Sequence, residues 1–431
     1  MLSGGRNRGD RAITVVDFVN FAAAIITLSA LFGYINHRWL GLPHTIGLVL
    51  IALLASLATI AVDAVVPALG LKATLAAGLD RIDLDETLMK GMLSLLLFAG
   101  ALHVDLGELA SRKWAIGAMA TVGLLLSTAV VGFGTYAVLG LLGLDLSLAY
   151  CLVFGALISP TDPVAVLGIL KTVTVPPSLE AKIAGESLFN DGVGIVVFTI
   201  LVTIAAGASA GHGPVTVWQV AELFLVETVG GGLIGFVVGY GAYRVMRTID
   251  EHNLEVLITL ALVLLSSALA EAVHASAPIA AVVAGLLIGN HGTRFAMSDK
   301  TADHIQKFWS LIDEILNSVL FLIIGFEVLA LAFEGRVLAA IAFAVPLVLL
   351  ARLVGVAVPL FVLRLGESFT RGAVPVLTWG GLRGGISVAL ALALPLGPAR
   401  EVILPITYGV VIFSILVQGL TIGPLARRVV R

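Results

Sequence analysis

The sequence is poor in charged residues and almost devoid of cysteine. Charged side chains make up 12% of its 431 residues, and hydrophobic residues make up 59%. A soluble globular domain carries about 25% charged residues, so this composition excludes a water-soluble domain and indicates a membrane protein in contact with lipid. The formal net charge is −3 and no basic cluster is present, which gives no reason to expect a nucleic acid partner.

Cysteine occurs once, at Cys151, inside an apolar segment. One cysteine cannot build an intrachain disulfide framework or a cysteine-based metal site, so redox chemistry is not expected. We therefore predict a function that needs no cofactor.

Apolar segments long enough to cross a bilayer recur along the chain. A spanning helix needs about 20 mostly apolar residues. These segments are too long and too uniformly apolar for barrel strands, and a helix satisfies its own backbone in lipid. The predicted fold class is an all-α polytopic membrane protein with about thirteen transmembrane helices. The predicted spans lie near residues 14–36, 44–66, 89–106, 114–141, 148–170, 185–206, 216–243, 253–271, 277–291, 309–332, 337–363, 372–396 and 402–426.

The loops on the two sides of the membrane differ in their basic residues. Thirteen spans place the termini on opposite faces, and the side with the C-terminus carries about 15 Lys and Arg against about 8 on the other side. Because basic loops stay in the cytoplasm, we expect a multi-pass inner-membrane protein with its C-terminus in the cytoplasm and its N-terminus outside. The basic N-terminal tail fits this orientation poorly, so a twelve-helix arrangement with both termini inside is the alternative.

Two predicted spans are interrupted at their middles. The fifth contains Ser-Pro-Thr-Asp-Pro at 159–163, and the twelfth contains Trp-Gly-Gly-Leu-Arg-Gly-Gly at 379–385. Proline removes a backbone donor and glycine tolerates unwound geometry, so each break frees carbonyl groups and exposes half-helix ends. Paired broken helices in inverted repeats are typical of secondary transporters. We therefore predict one membrane transport domain, with a first repeat at about 14–206, a linker helix at about 216–243 and a second repeat at about 253–426.

Ionisable side chains inside membrane spans are costly and point to function. Asp162, Glu186, Asp191 and Arg383 lie in the two breaks or closest to them. A buried arginine without a partner would be strongly unfavourable, so we predict that Glu186 and Arg383, from opposite repeats, form a structural ion pair. The charged residues within spans that are less clearly informative are Glu222, Glu227, Glu255, Asp313, Glu314, Glu327 and Arg352. Of these, Glu222, Glu227, Glu255 and Arg352 have no neighbouring break and are interpreted as structural or water-facing.

The segment at 185–192 presents polar side chains on one helical face. Asn190 and Asp191 follow Ser187 by three and four residues, so an amide, a carboxylate and a hydroxyl point the same way. A small hard cation prefers oxygen ligands, and the break at 159–163 supplies further ones. We predict that Na+ and H+ bind at Asp191, Asp162, Thr161 and Ser187, supported by Asn190, Glu186 and Arg383.

A carboxyl group in this setting binds either a proton or a cation. Burial favours the protonated form and a bound cation favours the ionised form, so H+ and Na+ compete for Asp191. If the empty, charged site crosses the membrane barrier poorly while both loaded forms cross easily, the two fluxes become coupled. The sequence therefore predicts a secondary active Na+/H+ antiporter, not an enzyme.

Five segments carry a resemblance to a known family: 159–163, 185–192, 380–384, and the stretches Phe-Leu-Ile-Ile-Gly-Phe-Glu at 321–327 and Gln-Gly-Leu-Thr at 418–421. Together and in their order along the chain they resemble the NhaP/NHE-type monovalent cation:proton antiporters, over nearly the whole membrane chain. The resemblance implies thirteen helices, a homodimer and an elevator-like movement of a core bundle. It also implies the cation ligands named above and a salt bridge between Glu186 and Arg383. The Asn190–Asp191 pair resembles the electroneutral branch, which implies one Na+ per H+.

Two other transport functions fit parts of the same pattern. A K+/H+ antiporter is the nearest alternative, because the oxygen donors do not fix the size of the cavity. A cation channel is less consistent with a buried acid that must bind and release a proton. A third class, an intramembrane aspartyl protease, would need two aspartates that share acid–base work, and neither Asp162 nor Asp191 has the expected sequence context.

Overall fold

The computed structural model describes residues 15–71, 91–163, 166, 176–209, 216–329, 335–363 and 372–429. These ranges are mostly helical and contain no strand. Nine of the described helices are long and apolar enough to cross a membrane. The predicted all-α multi-pass membrane fold is therefore confirmed, whereas the number of thirteen spans stays a prediction.

Fifteen helices are numbered here in chain order over the described residues, and π-helical turns extend or interrupt several of them. Their bounds are α1 Val15–Ile35, α2 His44–Val65, α3 Leu93–Leu102, α4 Leu106–Ser111, α5 Lys113–Leu142, α6 Leu148–Ile158, α7 Pro177–Ser209, α8 Trp218–Met246, α9 His252–Ala272, α10 Ala277–Leu287, α11 Asp299–Glu327, α12 Gly335–Leu363, α13 Ala373–Trp379, α14 Gly385–Leu392 and α15 Pro398–Val429.

Helix α11 begins at Asp299, well before the predicted start near 309. Ser298 caps its first turn by accepting a hydrogen bond from the backbone N–H of Thr301, and such a cap stabilises a helix start. The exposed ion pair between Lys307 and Asp303, 2.6 Å apart, lies on these early turns. Its charges interrupt the apolar pattern, which is why hydropathy alone placed the start too late.

The helices pack as two bundles. Helices α5, α6, α7, α12, α13, α14 and α15 form the broken-helix bundle, and helices α1, α2, α3, α8, α9, α10 and α11 form the flanking bundle. The bundles meet where α11 contacts α14, α2 contacts α15, and α7 contacts α3 and α10. Of the predicted site residues, Thr161, Asp162 and Asp191 line the cavity at this junction.

The fifth and twelfth predicted spans are both interrupted where the sequence predicted a break. Helix α6 ends at Ile158 and residues 159–162 are not helical; beyond them only 163 and 166 of that predicted span are described. Residues 380–384 separate α13 from α14. The backbone N–H of Asp162 donates to the carbonyl oxygen of Leu382 at 2.8 Å, so the two breaks cross in contact. The inverted arrangement of repeats 14–206 and 253–426 stays a prediction.

Candidate cation site

Three polar side chains join the first break to helix α7. The hydroxyl oxygens of Thr161 and Ser187 lie 2.9 Å apart, and Nδ2 of Asn190 donates to Oγ1 of Thr161 at 3.0 Å. Oδ1 of Asn190 accepts from the backbone N–H of Thr161 at 3.4 Å. All three residues are buried. The structure thus brings together the residues that the sequence selected on two separate segments, with Asn190 holding the break against α7.

Asp191 lies one helical turn after Ser187 and is 4% exposed. Its Oδ1 has no hydrogen-bond partner among the described residues. The charges of Asp162 and Arg383 both act on this carboxylate. A buried oxygen without a donor costs about 1–3 kcal/mol, a penalty that a bound proton or cation removes. Asp191 is therefore arranged to accept one or the other.

The Asp162 carboxylate lies in space left open by Gly384 of the second break. A Cβ atom at Gly384 would lie 2.1 Å from Oδ2 of Asp162 and 2.6 Å from its Cβ. The backbone of Gly384 is extended, with φ −119°, so other residues could adopt its conformation but not occupy its space. The absence of a side chain at 384 makes room for the Asp162 carboxylate at the crossing.

Arg383 satisfies the carbonyl groups that the first break frees. Its Nη1 donates to the carbonyl oxygens of Ser159 and Pro160, the second at 2.9 Å. Its backbone N–H donates to Oγ of Ser414 at 2.9 Å. The C-terminal end of a helix carries partial negative charge on its unpaired carbonyls, and a guanidinium there is stabilising. Arg383 is thus a fixed, 1% exposed cation at the crossing.

The prediction that Glu186 pairs with Arg383 is wrong. Both carboxylate oxygens of Glu186 accept from Arg352 of α12, with Nη2 to Oε2 at 3.0 Å, and Nε of Arg352 donates to the carbonyl oxygen of Leu377 at 3.1 Å. A Cβ at Gly381 would lie 2.3 Å from Nε of Arg352, so this glycine makes room for the arginine. Arg383 is occupied by the carbonyls of the first break. A mid-span arginine was the available signal, but its spacing in the sequence identified no partner.

A cavity of about 800 Å³ leads to Asp162 and Asp191. Both bundles line it, including the start of α2, the end of α3, the start of α7 and the middle of α11. Its described lining residues include seven carboxylates and two histidines but no lysine or arginine. An acidic cleft of this kind raises the local concentration of cations. Its ionisable residues are His44, His103, Asp105, Glu108, Asp162, Glu180, Asp191, Asp313 and Glu314.

Among the described residues, no group of three or more His, Cys, Asp or Glu side chains is placed to hold a metal ion. A cation at Asp191 would therefore need neutral oxygens beside the carboxylates. The Thr161 and Ser187 hydroxyls have the chemistry for this, since alkali cations accept hydroxyl and carbonyl oxygens as ligands.

Comparisons with known proteins bear on the family and the fold of the chain. The family model of the transmembrane part of sodium/hydrogen exchangers matches residues 26–428. The chain is 50% identical over 416 residues to the Na+/H+ antiporter NhaP of Pseudomonas aeruginosa, a match that covers 95% of this chain and 97% of that protein. It is 36% identical to the Na+/H+ antiporter NhaH of Halobacillus dabanensis, over 79% of this chain and 83% of that protein. A solved structure of the sodium proton antiporter MjNhaP1 from Methanocaldococcus jannaschii matches with a TM-score of 0.73 at 17% identity, over 95% of this chain and 98% of that chain, which shows a common fold.

Proposed function

The chain belongs to the sodium/hydrogen exchanger family, and from this premise we propose that it is a secondary active antiporter that exchanges Na+ for H+ at Asp191. The observation that carries the proposal is the buried Oδ1 of Asp191, which has no partner among the described residues and lies on an acidic cavity. A proton or a cation satisfies such an oxygen. Apart from the O–H bond of a protonated carboxyl group, exchange of this kind makes and breaks no covalent bond, so we infer a transporter that needs no cofactor and is not an enzyme.

Na+ is held by Asp191, Asp162, Thr161 and Ser187. A hydroxyl oxygen has two lone pairs, and at Thr161 one of them accepts the hydrogen bond from Nδ2 of Asn190. The other lone pair remains for a cation once the contact between Thr161 and Ser187 loosens. Asn190 thus supports the site by positioning a ligand.

The charges at the crossing explain the coupling. Glu186 is balanced by Arg352, and Arg383 offsets one of the carboxylates Asp162 and Asp191. Among these five residues the empty site therefore carries one excess negative charge. One Na+ or one H+ neutralises it, so both loaded forms cross the apolar barrier more readily than the empty form. Since each ion brings one charge, the exchange is one for one and electroneutral.

Sidedness follows from the distribution of basic loops. We place the protein in the inner membrane with the C-terminus in the cytoplasm and the N-terminus outside. The cavity is lined by the ends of α2, α3 and α7, and the loops at these ends belong to the basic side. The cavity then opens to the cytoplasm. Movement of the broken-helix bundle against the flanking bundle would present Asp191 to the other face.

The inverted repeats and a homodimer complete the proposal. Contact between the two breaks at Asp162 and Leu382 supports repeats related by inverted topology, since such repeats place their broken helices side by side. In helix α8, the proposed linker, only 11% of the most apolar stretch is buried within one chain. Lipid or a second copy of the chain covers the rest of this helix.

The test is Na+-driven proton flux in proteoliposomes that contain the wild type or Asp191→Asn, at several pH values and with K+ in place of Na+. We expect coupled flux with Na+ in the wild type and none in the variant, which keeps the size of the side chain but cannot ionise. Unchanged exchange by Asp191→Asn would overturn the proposal. Equal flux with K+ would show that the site does not select Na+.

A further inference from the structure

The flanking bundle contributes a carboxylate to the cavity that the exchange mechanism does not use. Asp313 of α11 lines the same cavity as Asp162 and Asp191 and is partly exposed to it. Its Oδ1 accepts a hydrogen bond from Nδ2 of Asn317 at 3.0 Å, one helical turn further on. Asn317 is 5% exposed and lines the cavity too. This bond holds the Asp313 carboxylate in place on the wall.

A second observation indicates that the cavity takes a cation. Asp191 lines this cavity and is only 4% exposed. Its Oδ1 has no hydrogen-bond partner among the described residues. We propose that Asp313 forms a staging site for the transported cation, which binds there with part of its hydration shell before it reaches Asp191. The inference rests on the proposed function and adds a cation-binding residue on the flanking bundle.

Asp313 suits this role better than Asp105 and Glu314, which line the same cavity. Oδ1 of Asp105 accepts from the backbone N–H groups of Gly107 and Glu108 and caps α4, and its Oδ2 lies 3.9 Å from Arg294. Glu314 is exposed. Exposed carboxylates are screened by salt, whereas a partly buried one in a cleft acts more strongly on a nearby ion.

The position of Asp313 makes its effect one-sided. It belongs to the flanking bundle, whereas Asp162 and Asp191 belong to the broken-helix bundle. The cavity that joins them is lined by the start of α2, the end of α3 and the start of α7, and the orientation proposed above places these ends at one membrane face. A cation that reaches Asp191 from that face passes Asp313, and a cation from the opposite face does not. Loss of the charge should therefore weaken Na+ capture at one face only.

The experiment compares Na+/H+ exchange in everted and right-side-out membrane vesicles for Asp313→Asn, Asp313→Glu and the control Asp303→Asn. Asp303 lies on the same helix, pairs with Lys307 at the surface and does not line the cavity. For Asp313→Asn we expect the KM for Na+ at the cavity face to rise about three- to tenfold, more at low ionic strength, with the maximal rate and the opposite-face KM unchanged. Asp313→Glu should restore most of the affinity, and Asp303→Asn should behave as wild type.

An unchanged KM in Asp313→Asn, or an equal rise at both faces, would overturn the staging site while leaving exchange at Asp191 intact. A second variant avoids dependence on folding of Asp313→Asn. The chain has a single cysteine, the buried Cys151, so Asp313→Cys can be labelled in the vesicle with a negative, a neutral or a positive thiosulfonate. Only the negative label should lower the KM, and no difference between the three labels would contradict the inference. Abolished exchange in Asp191→Asn remains a separate result that tests the proposed function alone.

Discussion

Arg352 donates hydrogen bonds to both carboxylate oxygens of Glu186 from α12, which passes the second break at Gly381. Glu186 is 1% exposed and Arg352 is 8% exposed, so the pair is withdrawn from water and lipid alike. A buried ion pair contributes little net stability compared with apolar residues of the same volume. Removing only one of its two charges is strongly destabilising, because the other charge is left buried without a partner. It fixes α12 to α7 immediately before the residues of the cation site.

The first prediction concerns this pair. Glu186→Gln should destabilise the protein by about 3–5 kcal/mol, because it leaves the Arg352 guanidinium buried without a counter-charge. The double variant Glu186→Gln with Arg352→Met removes both charges and should recover most of the lost stability. Thermal unfolding in detergent, followed by size-exclusion chromatography of the heated samples, measures both effects. Equal stability of the single and double variants would show that the two charges are not coupled.

The second prediction concerns the dependence of transport on pH. If H+ and Na+ compete for Asp191, protons raise the apparent KM for Na+ and leave the maximal rate unchanged. The sign follows from the competition: acidification fills the site with protons, so more Na+ is needed to displace them. In the acidic range the KM should rise about tenfold for each unit of pH that is lost, since proton activity changes by that factor. Rates measured over a grid of Na+ concentration and pH would refute competition if the maximal rate fell while the KM stayed constant.

The third prediction concerns a neutral ligand. Ser187→Ala removes a hydroxyl from the cation site and should raise the KM for Na+ roughly tenfold, the equivalent of about 1.4 kcal/mol. Proton release and binding at Asp191 should persist, because the carboxylate remains. The matched control is Ser266→Ala, which removes a fully buried hydroxyl that donates to the carbonyl oxygen of Val263 in α9. The same loss of Na+ affinity in both variants would mean that Ser187 acts only through packing.

The sequence was sufficient for those parts of the site that depend on local geometry. Ser187, Asn190 and Asp191 share a helical face because of their spacing, and the prolines beside Thr161 and Asp162 mark a break. The contacts among these residues need only that the break lies beside α7. Local rules of helix periodicity and proline stereochemistry therefore located the cluster.

The sequence did not predict which arginine pairs with Glu186 or which cavity leads to the site, because both depend on how distant helices cross. Arg352 and Arg383 are both arginines within apolar segments, and only the course of α12 past Gly381 decides which one reaches Glu186. Asn317 donates to Asp313 on its own helix, whereas a buried amide within a span could equally bond to a neighbouring helix, and the sequence does not decide between the two. The cavity itself arises where two bundles meet, a relationship that no single segment encodes.

The last prediction tests the crossing of the two breaks. Gly384→Ala places a methyl group 2.1 Å from Oδ2 of Asp162, closer than nonbonded atoms approach, so the carboxylate or the break must move. The backbone at 384 has an extended conformation that alanine adopts, so the substitution should act through space and not through backbone strain. We expect exchange to fall at least about tenfold while the protein still assembles in the membrane, since misplaced site groups commonly cost that much. Gly241→Ala is the matched control, because a Cβ there meets no atom within 4 Å. Proteoliposome flux, normalised to the amount of folded protein, distinguishes the two; wild-type exchange in Gly384→Ala would mean that the position of the Asp162 carboxylate does not matter for transport.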